Sequence, residues 1–408
     1  MPRYFTQIRI SSLFILAAMM VLAPPLSAKS TETATGKITC ASKTITLRTD
    51  FPGGQARACS VSDDGAFTLT IGPEDEPPIN PSPWYAFKLK AAEASPVQIT
   101  LSYQHGWHRY WPKVSTDGKV WTKLSADNIV AEKEQMQMTL PAFTGDLYVA
   151  GQEIIAQPYY LDWYKRLAAT SNIQTTVIGQ SVEGRDIHKL ETAPDGDSRK
   201  YIFLVGRQHP PEVTGALAFF PFVETLLGDS ALAKEFRQKF GIVMIPLVNP
   251  DGVDNGNWRH NMQGQDLNRD WGLFDHPESQ AIEQELERFA KQDDIALFLD
   301  FHSTNRNVLY TQGDEEETKP DMFARRWSAA AMKRLDGMYE LEHAERPSAD
   351  YTPDQRAYYT SKNYMYRTYG IASITYEVGD KTDRTKLKKA AEVFAEEMMT
   401  ILLEDLKD

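Results

Sequence analysis

Cysteine is scarce in this sequence: its 408 residues include two, Cys40 and Cys59. Both lie far along the chain from the polar clusters described below, so we expect neither to be catalytic. They stand close together between strand-like segments, and a disulfide between them suits an oxidising compartment. Two free buried thiols are the alternative interpretation.

Basic residues are also in deficit, because 44 Lys and Arg stand against 56 Asp and Glu, a net charge of −12. A nucleic acid is therefore not an expected partner. Internal repeats and low-complexity tracts are absent. No segment after residue 28 is apolar enough to cross a membrane, so we expect no stable membrane insertion of the mature chain.

The first 28 residues have the pattern of a secretory signal peptide. Arg3 and Arg9 precede an apolar run from Leu13 to Leu22, and small residues ending at Ala28 form a cleavage site. An uncleaved membrane anchor is the alternative. The pattern predicts a periplasmic or secreted protein whose mature chain starts near Lys29.

The remaining length predicts two domains. Residues 29–155 contain short alternating runs separated by Gly, Pro, Asp and Asn, which predicts an all-β sandwich. Residues 156–408 change period, with a helix near Tyr159 to Ala169 and an antiparallel hairpin over 175–187. Strands then alternate with helices, which predicts a three-layer α/β/α domain. Buried strands are expected at 201–205, 242–248, 295–299 and 371–376, and helices at 213–227, 277–291, 321–336 and 385–405.

His209 and Glu212 follow the first buried strand. Zn²⁺ accepts an imidazole nitrogen and a carboxylate oxygen, and a spacing of three at the start of a helix puts both side chains on one face. Pro210 and Pro211 suit the first turn of that helix. Alone the pattern is weak, since a surface turn with two unrelated polar residues also explains it.

The other predicted strands end in polar residues as well. In open α/β sheets, ligands bind at the carboxyl ends of the strands, so these side chains are expected to converge. His302 follows the third strand and Glu377 the fourth. Singly, His302 could be a core histidine and Glu377 a salt-bridge partner. Their joint appearance after apolar runs favours a site.

Five motifs in order resemble those of zinc metallocarboxypeptidases, over roughly residues 157 to 405. The motifs are His209-Pro210-Pro211-Glu212, Asn249-Pro250-Asp251-Gly252, Asp266-Leu267-Asn268-Arg269, Asp300-Phe301-His302 and Glu377. The hairpin Gly179 to Ile187 is similar to the one that opens that family's catalytic domain. The β-rich domain, with Trp84 to Phe87 and Tyr110 to Pro112, resembles the N-terminal domain of the cytosolic carboxypeptidase branch.

The resemblance implies a role for each motif residue. His209, Glu212 and His302 would bind one Zn²⁺ per chain, with a fourth position open for water. Glu377 would be the general base, and Arg259 would polarise the scissile carbonyl. Asn268 and Arg269 would bind the terminal carboxylate of the substrate. Asp266 or Asp300 would orient a ligand or the arginine.

We therefore expect a zinc exopeptidase that acts on peptides with a free C-terminus in the periplasm or outside the cell. A deacylase of N-acyl amino acids with the same fold would share the metal ligands and the Asn-Arg pair. The third hypothesis is a binding protein with an inactive site, whose aromatic β-domain binds a glycan or peptide. Spacing does not identify the family's substrate-gating tyrosine; the candidates are Tyr351, Tyr358, Tyr359, Tyr364 and Tyr366.

Overall fold

The computed structural model describes residues 31–32, 36–193, 200–290, 295–348 and 359–407. The predicted signal peptide, residues 1–28, lies outside the described residues, as do the candidate tyrosines Tyr351 and Tyr358.

Among the described residues, the N-terminal part contains ten strands: β1 (Thr31–Glu32), β2 (Ile38–Ala41), β3 (Ile45–Arg48), β4 (Ala58–Val61), β5 (Phe67–Ile71), β6 (Ala86–Tyr103), β7 (Lys113–Ser115), β8 (Thr122–Lys123), β9 (Ile129–Ala131) and β10 (Gln135–Ala150). They form one hydrogen-bonded network, which confirms the β-rich character predicted for this domain. The two longest strands, β6 and β10, pair along most of their length. Strand β6 also pairs with β3 over its first part and with β5 over its last part.

A disulfide joins Cys40 on β2 to Cys59 on β4, so the free-thiol alternative is wrong. Both cysteines are buried, and their Cα atoms lie 6.3 Å apart. Since the two strands are not neighbours in the hydrogen-bonded network, the disulfide is a covalent link between parts of the domain that otherwise meet through side-chain packing.

The described elements of the C-terminal part are α1 (Gln157–Thr170), β11 (Gln174–Gln180), β12 (Asp186–Thr192), β13 (Lys200–Gly206), α2 (Val213–Leu226), α3 (Ala231–Lys239), β14 (Phe240–Ile245), α4 (Pro250–Asn255), α5 (Pro277–Ala290), β15 (Ile295–Thr304), β16 (Val308–Thr311), α6 (Phe323–Leu335), β17 (Glu342–Glu345), α7 (Ser361–Tyr369), β18 (Ser373–Gly379) and α8 (Arg384–Glu404). Within the described residues, the central sheet has eight strands in the order β11-β12-β14-β13-β15-β18-β16-β17. Strands β14, β13, β15 and β18 are parallel to one another.

Helices cover both faces of this sheet, as the predicted three-layer fold requires. Successive side chains of β13 point to opposite faces, so Ile202 and Leu204 pack with α2 and α8, whereas Phe203 and Val205 pack with α5. Because both faces are buried, the central strands are continuous apolar runs instead of alternating ones. Among the described residues, no single helix is long and apolar enough to span a membrane; α2 and α3 reach that length and hydropathy only when joined across an 88° bend.

Two of the central strands continue further than the sequence pattern predicted. The apolar run of β15 stops at Leu299, yet the strand continues to Thr304, and β18 continues past Tyr376 to Gly379. His302 and Glu377 therefore lie within neighbouring strands and face each other in register. The ladder continues because the backbones of β15 and β18 still pair in register from Asp300 to Thr304 and from Thr375 to Gly379.

Candidate metal centre

His209 and Glu212 lie in a tight turn between β13 and α2. Arg207, with φ of 54°, starts the turn, and its buried guanidinium donates to the carbonyl oxygen of Pro210 at 2.8 Å. The helix begins at Val213, so the prediction that the two prolines form its first turn is wrong. Arg207 holds the turn in place. The turn itself brings the side chains of His209 and Glu212 together, although the two residues do not lie on one face of a helix.

His209, Glu212 and His302 form a buried group, here called the three-residue cluster. His209 Nδ1 lies 2.8 Å from Glu212 Oε1, and His302 Nδ1 lies 2.7 Å from Glu212 Oε2. The two Nδ1 atoms are 3.2 Å apart. The exposed fraction of each side chain is 5% or less. Two imidazoles and one carboxylate are donors that zinc accepts, so this cluster can hold a metal ion.

Each histidine of the cluster contacts a carboxylate through its other ring nitrogen. His209 Nε2 lies 2.9 Å from Asp266 Oδ1, and His302 Nε2 lies 2.7 Å from Asp300 Oδ2. A histidine that donates from Nε2 keeps Nδ1 free to bind a metal, and such carboxylates fix the ring orientation. Asp300 in turn accepts a hydrogen bond from Gln208 Nε2 at 2.6 Å.

Charge, more than burial, sets the ionisation of the cluster. Burial opposes ionisation of the Glu212 carboxyl, yet the two histidines hold its pKa well below the usual value. Burial likewise lowers the pKa of His302, but Asp300 and Glu212 together raise it well above its usual value. The acidic surroundings therefore attract positive charge, which suits a cation site.

Glu377 has the opposite environment. Burial and the nearby charge of Glu212 raise the pKa of its carboxyl to about 7. Among the described residues, its Oε2 atom is buried and has no hydrogen-bond partner. This oxygen thus takes no part in the hydrogen bonds of the cluster, and the carboxyl can accept or release a proton near neutral pH.

Arg259 lies on the loop after α4 and is paired with Asp266. Its Nε atom donates to Asp266 Oδ2 at 2.9 Å and its NH2 atom lies 2.8 Å from the same oxygen, while its NH1 atom lies 3.9 Å from Glu212 Oε1. Burial acts against the arginine's charge, but these carboxylates raise its pKa above the usual value. Asp266 therefore contacts both His209 and Arg259.

Asn268 and Arg269 lie in a short 3₁₀ turn, Leu267–Arg269. The side-chain oxygen of Asn268 accepts the backbone N–H of Ser361 at 2.8 Å, which turns its Nδ2 towards His302 Nε2, 3.4 Å away. Arg269 NH1 donates to the carbonyl oxygen of Asn268 at 2.7 Å. The structure thus brings Asn268 into the site and Arg269 to its border.

The family model described as zinc carboxypeptidase matches residues 160–400. This chain belongs to the zinc carboxypeptidase family. A second model, the cytosolic carboxypeptidase N-terminal domain, matches residues 47–150. The chain is therefore a metallocarboxypeptidase, of a zinc-dependent family of hydrolases.

Relatives of this zinc carboxypeptidase come from bacteria and animals. An uncharacterised protein of Zymomonas mobilis is 24% identical over 69% of this chain and 70% of its own length. Cytosolic carboxypeptidase 6 of Caenorhabditis elegans is 28% identical over 62% of this chain and 57% of its own length. The chain thus spans little more than half of that relative.

Solved bacterial structures share the fold. A metallo-carboxypeptidase from Burkholderia cenocepacia has a TM-score of 0.71 and 19% identity, covering 89% of this chain and 99% of its own. One from Pseudomonas aeruginosa, in complex with (2-guanidinoethylmercapto)succinic acid, has a TM-score of 0.70 and 22% identity, covering 88% and 99%. Both alignments cover more of this chain than the zinc carboxypeptidase domain alone contains, so they extend into the β-rich domain.

Several residues around the site are not indicated by any sequence pattern. Arg109 of the β-rich domain donates from Nε to Asp380 at 2.8 Å, just after the strand that carries Glu377. Gln152 donates to the Asp380 carbonyl oxygen at 3.1 Å. No local pattern marks these residues, because their partners are more than 200 positions away in the sequence.

The remaining candidate tyrosines differ in their surroundings. Tyr359 is buried in the core on the α5 side of the sheet. Tyr364 packs against Trp271 and Phe274, with ring centroids 5.9 and 5.1 Å apart. Both rings are held by core packing in this structure, and Tyr366 is half-buried at the surface of α7.

Proposed function

We propose that this protein is a zinc-dependent carboxypeptidase that removes C-terminal residues from exported or cell-envelope peptides. The observation that carries the proposal is the convergence of the three-residue cluster with Glu377, Arg259 and Asn268 at one edge of the sheet. The residues come from the turn after β13, the connection between α4 and α5, strand β15 and strand β18, so the convergence is a product of the fold and not of one local motif.

His209, Glu212 and His302 would hold one zinc ion. The donor set fits, because both imidazoles have their other nitrogen engaged by a carboxylate and thus present Nδ1 to the same point as Glu212. The chemistry that zinc supplies when bound is that of a Lewis acid, which acidifies water and polarises a carbonyl group.

Glu377 would act as general base. Its carboxylate would take a proton from the attacking water at a carboxyl oxygen and deliver it to the nitrogen of the departing amine. The raised pKa supports this role, because a base with a pKa near the working pH both accepts and returns a proton readily. The unpartnered Oε2 atom supports it too, since no protein donor among the described residues competes for that oxygen.

Arg259 would stabilise the oxyanion that forms on the scissile carbonyl. Its guanidinium is buried and oriented by Asp266 before substrate arrives, so little reorganisation is needed in the transition state. A fixed positive charge in a site with little water is worth more than the same charge in bulk solvent.

Asn268 and Arg269 would bind the terminal carboxylate of the peptide. The Asn268 oxygen is engaged by Ser361, which leaves its amide nitrogen to donate into the site. A guanidinium has five N–H donors, so Arg269 retains donors after its bond to the Asn268 carbonyl. This pair would confine cleavage to the last residue.

Export of the protein is part of the proposal. The signal-like first 28 residues favour it, and the Cys40–Cys59 disulfide suits an oxidising compartment such as the periplasm. This location departs from that of the relatives named cytosolic carboxypeptidases. Peptides of the cell envelope or the surrounding medium are then the accessible substrates.

The test is hydrolysis of matched peptides with free and amidated C-termini by the zinc-loaded protein, followed by mass spectrometry. The proposal predicts loss of single residues from free C-termini only, with activity abolished by a chelator and restored by zinc. Equal cleavage of both peptides would remove the carboxylate-binding pair from the mechanism. Hydrolysis of N-acyl amino acids without peptide cleavage would instead support the deacylase.

A further inference from the structure

The β-rich domain supplies a carboxylate to the loop that carries Arg259. Glu74, in the segment between β5 and β6, accepts three consecutive backbone N–H groups. Its Oε2 atom accepts from Trp258 at 2.6 Å, and its Oε1 atom accepts from Arg259 at 2.8 Å and His260 at 2.7 Å. These residues form no helix or strand, so a side chain from the other domain provides their backbone partners.

Arg259 is therefore held at both ends. Glu74 fixes its backbone, and Asp266 fixes its guanidinium through a hydrogen bond of 2.9 Å from Nε and an ion-pair contact of 2.8 Å with NH2. Hydrogen bonds to an ionised carboxylate are shorter and stronger than those between neutral groups. With both ends held, the arginine has little freedom to move relative to the three-residue cluster.

The same loop is seated in the surface of the β-rich domain. Trp258 is fully buried, and its indole N–H donates to the carbonyl oxygen of Trp84 at 3.3 Å. Gly106 packs so closely that an added Cβ would lie 3.0 Å from the Trp258 ring. His260 Nδ1 lies 2.6 Å from Asp75 Oδ2. These contacts make the loop part of the domain interface.

We infer that Glu74 is a positioning residue for Arg259, so that the β-rich domain completes the active site of the catalytic domain. The inference rests on the role proposed for Arg259. Glu74, Asp75 and His260 also lie close enough to share an ion. The geometry favours positioning, because the Glu74 oxygens already accept three N–H groups and Asp75 already contacts His260.

The test is a double-mutant cycle of Glu74→Gln and Arg259→Ala, with kcat, KM and zinc affinity measured for each protein. Glutamine leaves at least one of the three N–H groups facing an NH₂ group instead of an oxygen. We expect Glu74→Gln to lower kcat by about 10- to 100-fold, as a small misplacement of a catalytic group does. KM and zinc affinity should stay within about twofold, since ground-state binding and the metal donors are untouched.

The cycle separates positioning from a general structural role. If Glu74 acts through Arg259, the Glu74→Gln change should cost less than about twofold in kcat when Arg259 is already alanine. Glu76→Gln is the matched control: it removes the same charge from an exposed site two residues away, and kcat should not change. Glu74→Asp keeps the charge but shortens its reach, and it replaces Glu74→Gln in the cycle if the glutamine variant folds poorly.

Two results would overturn this inference while leaving the proposed function of the protein intact. One is a wild-type kcat for Glu74→Gln. The other is an equal loss of kcat in both Arg259 backgrounds, which would indicate a structural role. A wild-type kcat for Arg259→Ala is a different outcome, since it would contradict the proposed role of Arg259 and the inference with it.

Discussion

Replacing Glu377 by glutamine should stabilise the metal-free protein above neutral pH while abolishing hydrolysis. Burial and the charge of Glu212 raise the pKa of the Glu377 carboxyl from its usual 4.5 to about 7. At pH 8 the wild-type protein therefore contains a buried carboxylate in unfavourable surroundings. Glutamine has nearly the shape of the protonated acid and no charge, so it removes this cost together with the base.

The size of the effect follows from the two pKa values. In the unfolded chain Glu377 ionises near 4.5, so between that pH and about 7 the folded state holds a proton that the unfolded state has lost. The stability of the wild-type protein therefore falls as pH rises through this window. A difference of roughly 2.5 pKa units, at about 1.4 kcal/mol per unit, gives a cost of about 3 kcal/mol at pH 8.

The assay is urea unfolding of chelator-treated wild type and Glu377→Gln at pH 4.5 and pH 8. We expect equal stability at the lower pH and an advantage of about 3 kcal/mol for the variant at the higher pH. Glu315→Gln, at an exposed position, is the control and should show no pH-dependent difference. A variant no more stable than wild type at pH 8 would refute the account of this carboxyl, as would an advantage that is the same at both pH values.

Three further predictions follow from the same geometry. Asp266→Asn should weaken zinc binding by about 10- to 100-fold in a chelator competition, because it disturbs the acceptor of one cluster histidine; unchanged affinity would contradict this. Arg269→Ala should lower kcat/KM for free C-termini by roughly 10- to 100-fold through the loss of charge-assisted bonds, and an unchanged kcat/KM would contradict the role of Arg269 in binding the terminal carboxylate. The double change Cys40→Ser and Cys59→Ser should lower the free energy of unfolding by about 3 kcal/mol for a loop of 19 residues, and a reducing agent should have the same effect on wild type but none on the variant.

Much of the catalytic fold could be predicted from periodicity. The helix predicted at 385–405 is observed as Arg384–Glu404, and that predicted at 213–227 as Val213–Leu226. A long helix with one buried face shows a regular stripe of apolar residues, so its position can be predicted from the sequence without knowledge of the tertiary contacts. The apolar pattern does not predict helix α7, because polar residues such as Lys362 and Asn363 are buried on it. Their hydrogen bonds to Arg346 and Ser348, in a preceding segment, exist only in the folded chain.

The ends of the central strands are predicted less well, because apolar runs alone do not show where a strand ends. The apolar runs predict Asp300, His302 and Glu377 just beyond the ends of their strands, yet all three lie within strands. A buried polar side chain is tolerated when it is paired, as His302 is with Glu212 and Asp300. Single-sequence patterns do not show such pairs, since the partners lie up to 90 positions apart.

The assembly of the site depends on contacts that no local sequence pattern indicates. The order of the motifs predicted that His209, Glu212 and His302 converge, and they do. The contribution of the β-rich domain was not foreseen, because Glu74 and Trp258 are separated by 184 residues. Acidic residues such as Glu74 are common in surface turns, so its buried backbone contacts are visible only in three dimensions.

The roles of metal ligand and base are tested together by measuring zinc binding and peptide hydrolysis on wild type, His302→Ala and Glu377→Gln. We expect wild type to bind one zinc ion per chain and to remove C-terminal residues. His302→Ala should bind zinc far more weakly, whereas Glu377→Gln should bind one ion with wild-type affinity and remain inactive. Undiminished zinc binding by His302→Ala, or full hydrolysis by Glu377→Gln, would contradict the assignment of these residues as metal ligand and base.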